Sequence, residues 1–191
     1  SLAAPSDGTA TIAGFDVVWD SLAVRRKIGY LPETVPLYAD MRVGEFLRFR
    51  AGLKGVPVLQ RRERVRQVMR LCGLLGMERK VIGTLSKGYR KRTGLADALV
   101  HEPDVLILDE PTLGIDPAHA REIQRALAGL AGRHTILFST HSPAEAEGLC
   151  QQILVLEGGR LASAEARAGN LPRPPPRPVC IAELRGPREL M

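Results

Sequence analysis

Asp109 and Glu110 stand side by side at the end of the run Val105-Leu106-Ile107-Leu108. Adjacent carboxylates offer two kinds of chemistry. One can serve as an oxygen ligand for Mg²⁺. The other can polarise a water for attack on a phosphorus centre. Asp109 suits the first role and Glu110 the second. The apolar run before them is short and rich in Val, Ile and Leu, so it predicts a strand buried on both faces of a parallel sheet. The carboxylates then fall at its C-terminal end, where open α/β sheets place their ligands. A buried strand followed by an ordinary acidic loop would read the same way. Pro111 and Gly114 turn the chain, and Asp116-Pro117 predicts the N-cap and first position of a helix.

Two further segments carry groups of the right type. Leu85-Ser86-Lys87-Gly88-Tyr89-Arg90-Lys91-Arg92 predicts a helix start. Free backbone N–H groups and the helix dipole there suit a phosphate, and the glycine permits close approach. A plain serine N-cap has the same residues. His141 ends the run Thr135-Ile136-Leu137-Phe138-Ser139-Thr140, so it falls on the sheet edge expected to carry the carboxylates. It can sense a γ-phosphate and the attacking water, although a lone histidine is usually structural.

The elements that position these groups follow from periodicity and turn chemistry. Thr9 to Ala13 and Ile28 to Leu31 read as short strands, after a turn at Pro5-Ser6-Asp7-Gly8. Residues 33 to 42 read as a loop. Val43, Phe46, Leu47 and Leu53 form one helical stripe, and a second helix runs from about Gln60 to Leu75. A third runs from Ser86 to Val100. After the carboxylates come a helix from Pro117 to about Ala131, the strand 135–139, and a helix opened by Ser142-Pro143-Ala144-Glu145, which has capping-box spacing. Ile153 to Leu156 is another strand, closed by Gly158-Gly159. Pro172 to Pro178 predicts an extended linker. Val179 to Leu184 reads as the start of a strand with nothing to build on.

The chain has 191 residues, 45% hydrophobic and 25% charged, a size and composition fit for one ordinary globular domain. A net charge of +6 with only 4% aromatics, and basic residues scattered rather than gathered, argues against nucleic acid as a partner. The cluster Arg61-Arg62-Glu63-Arg64-Val65-Arg66 reads as a solvated helix face, because Val65, Val68, Met69 and Cys72 share the other face. Cys72, Cys150 and Cys180 are far apart and odd in number, which argues for a reducing compartment and against a disulfide framework. No apolar run approaches the length of a membrane span.

In this order the segments resemble the ATPase subunit of ABC transporters. Leu85-Ser86-Lys87-Gly88-Tyr89 is similar to that family's signature loop, and Leu106 to Glu110 to its Walker B strand with the catalytic glutamate. Leu113-Gly114-Ile115-Asp116 is similar to the D-loop, and Ser139-Thr140-His141 to the switch histidine. Gly29-Tyr30-Leu31-Pro32-Glu33 occupies the place of the Q-loop. Glu33 stands where most members have glutamine. Lys87 and Tyr89 replace the usual Gly and Gln. Together with Pro36 to Val43, these departures are similar to bacterial exporter ATPases of the gliding-motility type. Nowhere do the 191 residues contain G-x-x-x-x-G-K-[ST], the phosphate loop.

The resemblance implies an α/β fold, a P-loop-NTPase-like parallel sheet with an inserted α-helical subdomain. The first strands and the phosphate loop are expected to be missing. Residues 1–168 would form an incomplete ATPase domain, with the helical subdomain at about 43–100. Residues 169–191 would be a proline-rich linker and the start of an extension. The missing strand would leave its neighbours with unpaired backbone and exposed apolar faces. ATP and Mg²⁺ are the implied cofactors. Glu110 and His141 would act in catalysis, and Asp109 and Glu33 would attend Mg²⁺. Ser86, Lys87, Gly88 and Asp116 would contact the nucleotide, Ser86 and Gly88 in trans to a partner subunit and Asp116 across the dimer. A second ATPase subunit and a membrane-spanning permease are the implied partners, at the inner face of the cell membrane. An inactive remnant lending its signature loop, or a non-transport relative, are the alternatives. The isolated chain is expected to bind ATP weakly or not at all.

Overall fold

The structure is a computed structural model and describes residues 7–130, 132–166 and 179–183. The proline-rich segment 172–178 and the first half of the turn at Pro5 lie outside the described residues.

A small antiparallel hairpin, β1 (Thr11–Ile12) and β2 (Phe15–Asp16), opens the chain. It leads into α1 (Ser21–Lys27), a helix that sequence reading passes over because its seven residues are too few to show a period. The main sheet has six strands in the order β3-β4-β5-β8-β6-β7. These are β3 (Ile28–Leu31), β4 (Val105–Asp109), β5 (Thr135–Thr140), β6 (Gln152–Glu157), β7 (Arg160–Ala166) and β8 (Val179–Glu183). All neighbours run parallel except the β6–β7 hairpin. Register aligns Leu31 with Leu108 and Asp109 with Ser139, so the ends of β3, β4 and β5 are level.

Between β3 and β4 the chain builds a helical layer: α2 (Val43–Leu53), α3 (Val58–Leu71) and α4 (Lys87–Leu99), with a short 3-10 turn at Ile82–Thr84. The helices pack on one another, and α4 packs on β3. Val43, Phe46, Leu47 and Ala51 form the buried stripe of α2, at helical spacing. Leu53, expected in that stripe, is 62% exposed, because it lies off the face that Ala51 occupies. The second helix begins two residues earlier than predicted and stops at Leu71, before Gly73 and Gly76, whose φ of 63° and 85° is left-handed. Gly29 is the position that lets α4 approach the sheet: a Cβ there would clash with the Ala98 carbonyl oxygen.

α5 (Pro117–Leu130) and α6 (Pro143–Leu149) follow β4 and β5. Two expectations are corrected. First, β4 is not buried on both faces: Leu106 and Leu108 are fully covered, whereas Ile107 lines an open groove of about 260 Å³ with Tyr30 and Leu137. Second, β5 and β6 are not left with bare edges. Val179–Glu183, read as a strand with nothing to build on, is itself the interior strand β8, parallel to both.

Candidate functional site

The C-terminal ends of β3, β4 and β5 form one rim. Glu110 follows β4, and His141 follows β5. The imidazole Nδ1 of His141 lies 3.0 Å from each carboxylate oxygen of Glu110. An ionised carboxylate only accepts, so the ring donates from Nδ1 and Nε2 is left for another ligand. The Glu110 side chain is 17% exposed and that of His141 53%, so the acid sits deeper and the imidazole at its mouth.

Asp109 is held differently. The Ser139 hydroxyl donates to Asp109 Oδ1 at 2.7 Å, and accepts from the Glu110 backbone N–H at 3.1 Å. One serine on β5 thus fixes both acidic residues at the end of β4. No group of three His, Cys, Asp or Glu that could hold a metal occurs among the described residues. Mg²⁺ commonly takes one or two protein carboxylates and completes its shell with water and phosphate oxygens. Asp109 has Oδ2 free of the serine contact and fits such a role. Glu33 is exposed beside the end of β3, near enough to favour the charged form of Lys91.

Glu110 has φ 44°, a left-handed conformation uncommon for a residue with a side chain. Lys91 of α4 reaches its carbonyl at 3.0 Å. Neither feature is visible in the sequence. Glu145 is likewise a surprise. Ser142 accepts from the Glu145 backbone N–H, the serine half of the expected capping box. The Glu145 side chain turns inward instead of back to the cap. It accepts from Thr112 at 2.8 and 2.9 Å, from Thr140 at 2.7 Å and from Gln124 at 3.3 Å. This buried acid ties the turn after Glu110 to the end of β5, to α5 and to α6. The one signal for it is that Glu145 precedes the small Ala146 on the inward face of a very short helix.

The remaining candidates form a second group. Ser86 caps α4, accepting from the Tyr89 N–H at 3.4 Å, and is exposed with Lys87. Gly88 is buried against the His119 ring, where a Cβ would lie 2.7 Å from Cγ. Asp116 caps α5 through the N–H groups of Ala118 and His119, both at 3.1 Å, and meets His119 Nδ1 at 2.5 Å. The His119 amide, then its ring, hold the Asp116 carboxyl below the usual range. The Lys87 ammonium sits over Gly114. The structure thus brings Glu110 to His141 and Asp109 to Ser139. It gathers Lys87, Gly88 and Asp116 around α5, and it pairs none of these with the carboxylate rim.

The chain is similar to known proteins. The sequence pattern of the family described as ABC transporter matches residues 1–113. YxlF of Bacillus subtilis, an uncharacterised ABC transporter ATP-binding protein, is 35% identical over 160 residues, covering 84% of this chain and 52% of its own. YbhF of Escherichia coli, a probable multidrug ABC transporter ATP-binding protein, is 37% identical over 158 residues, covering 82% and 27%. The structure of cbiO1 from Clostridium perfringens, part of the ABC transporter complex cbiONQ, superposes with a TM-score of 0.76 at 28% identity, over 86% of this chain and 68% of that one. The chain spans about half the length of YxlF and a quarter of YbhF.

Proposed function

We propose a function from one premise: this chain belongs to the ABC transporter family and has the character of its ATP-binding subunits. The protein hydrolyses ATP, with Glu110 as the group that orients and deprotonates the attacking water. The observation that supports this reading most is the 3.0 Å contact between Glu110 and His141 at the ends of adjacent parallel strands. A carboxylate held just inside a site by a charge-capable donor at its mouth is placed to receive a proton from water. His141 then offers Nε2 to the γ-phosphate, so departure of that phosphate is felt at the same ring.

Asp109, with Glu33, would hold Mg²⁺, which when bound offsets the negative charge of the phosphates. Ser139 keeps Asp109 aimed at the site. Ser86 is exposed at the start of α4, Gly88 lies two residues on, and neither is paired with the rim. That arrangement supports their serving the nucleotide of a second ATPase subunit. Asp116 would carry contact between the two subunits. The helical layer at 43–100, with the loop before it, presents Tyr38, Phe49 and Leu53, each at least 45% exposed, as a surface for a membrane-spanning partner. No helix among the described residues is long and apolar enough to cross a membrane itself. The relationship to a probable multidrug protein supports export as the direction of transport.

The test is Glu110→Gln in the full-length protein. ATP hydrolysis should fall by about 10²-fold or more, the contribution of a positioned base. Nucleotide binding should stay within about threefold. Unchanged turnover would remove Glu110 from this role.

A further inference from the structure

Lys91 and Arg92 are the buried cations among the described residues, and Lys91 is 2% exposed on the inner face of α4. Ordinarily a lysine on a charged helix reaches for water. This one makes no ion pair at salt-bridge distance among the described residues. Its Nζ is directed at three backbone carbonyl oxygens: Glu110 at 3.0 Å, Asp109 at 3.5 Å and Pro32 at 3.5 Å. Pro32 follows β3 directly, Asp109 ends β4 and Glu110 follows it. One ammonium group therefore joins the helix that starts at Ser86 to the ends of two strands.

Burial pushes the Lys91 pKa down. The carboxylates of Glu33, Asp109 and Glu110 oppose that, and Lys87 adds to it. An apolar side chain of similar length would fill the same space without the desolvation cost of an ammonium group. What the ammonium group supplies is a hold on the Glu110 peptide. That residue stands at φ 44°, a conformation that persists only where its surroundings impose it. Its N–H is held by Ser139 Oγ and its carbonyl by Lys91 Nζ, so the residue is gripped through the peptide groups on both of its sides.

We propose that Lys91 is a positioning residue that keeps the Glu110 peptide in its left-handed conformation, and so keeps its carboxylate on His141. It also makes α4 move as one body with the carboxylate rim. Its catalytic consequence rests on the reading of Glu110 given above; its structural part does not. The acid is aimed by two residues it does not share a strand with, Ser139 from the sheet and Lys91 from the helical layer. A displacement of the start of α4 is thereby transmitted to Glu110 through a single ammonium group.

The test compares Lys91→Met, which keeps length and removes the donor, with Lys91→Gln, which keeps a shorter donor. Both are made in the full-length protein. In Lys91→Met, kcat for ATP should fall at least about tenfold with KM within about threefold, as expected when a reacting group is misaimed while substrate binding is preserved. Lys91→Gln should recover most of the rate. Independently of activity, amide exchange across 109–113 should speed up at least about tenfold in Lys91→Met, while 135–138 in β5 stays protected. Accelerated exchange at 109–113 with no ATPase in the parent protein would uphold the grip and refute the proposed function. Unchanged exchange at 109–113 in Lys91→Met would overturn the proposal. So would an equal fall in protection across β3, β4 and β5, which would make Lys91 a space-filling residue.

Discussion

His101 shows how burial, more than any neighbouring charge, sets the charge of a residue outside the rim. It follows α4 and lies 3.1 Å from the Ile28 carbonyl, with Nδ1 buried and unpartnered. Burial, followed by the charge of Lys54, brings its pKa down from 6.5 to about 4, with Arg50 acting in the same direction; the Ile28 carbonyl and Asp97 act the other way. The linkage has a definite sign. Above pH 6.5 both folded and unfolded chains hold a neutral ring, and the group contributes nothing to pH dependence. As pH falls from 6.5 towards about 4, the unfolded chain takes up the proton first, so stability declines across that window. His101→Gln should flatten this part of the profile. Urea midpoints at pH 7, 5.5 and 4.5 check it: the gap between parent and variant should change with pH, and a constant gap would refute the assignment. At this scale the sequence is uneven in what it reveals. Glu110 and His141 are legible because each terminates an apolar run, and strand ends are where parallel sheets carry ligands. Lys91 and Glu145 are not, because a charged residue on a helix reads as solvated until the packing around it is known.

At the scale of elements, the helical layer is knit by charge as well as by apolar contact. Asp97 of α4 accepts two hydrogen bonds from Arg50 of α2, both at 3.0 Å, and meets Lys54 at 3.0 Å. The Asp97 side chain is only 12% exposed. Removing the acid leaves two partly buried cations facing each other. Asp97→Ala should therefore cost about 3 kcal/mol, the scale of a broken buried pair. Asp97→Asn should cost less, since its amide oxygen still accepts. Denaturant unfolding of the two variants checks the order, and equal destabilisation would show that shape rather than charge joins α2 to α4. The existence of α2, α3 and α4 is readable from helical spacing, and Ser86 and Asp116 from cap chemistry. The packing between these elements is not. Nothing in Gly88 or His119 alone says that the glycine lies under that ring, since the residues meet only when α4 and α5 are brought together by strands far apart in sequence.

For the whole molecule, the order of the sheet matters most. β6 bonds to β7 on one side and β8 on the other, and β5 reaches β6 only through β8. Ser139 and Thr140 align with Ile181 and Ala182, and Gln152 to Leu156 align with Val179 to Glu183. The five residues of β8 read as strand from composition, but composition does not name a partner. Pairing is non-local, and here it is made across the intervening residues 167–178. Removal of β8 would leave two facing edges of unpaired N–H and C=O groups and detach the β6–β7 hairpin from the body of the sheet. Deleting 179–191 should therefore lower the thermal midpoint and expose 152–157 to exchange. Ile181→Pro should do the same, because proline removes a ladder donor from an interior strand. The end of β5 also carries Ser139, with His141 just beyond it, so removing its neighbour should loosen the same serine that holds Asp109 and Glu110. Amide exchange at 139–141 would then rise with that at 152–157. If 152–157 opened while 139–141 stayed protected, the rim would be independent of β8, and β3, β4 and β5 would suffice to hold the site together.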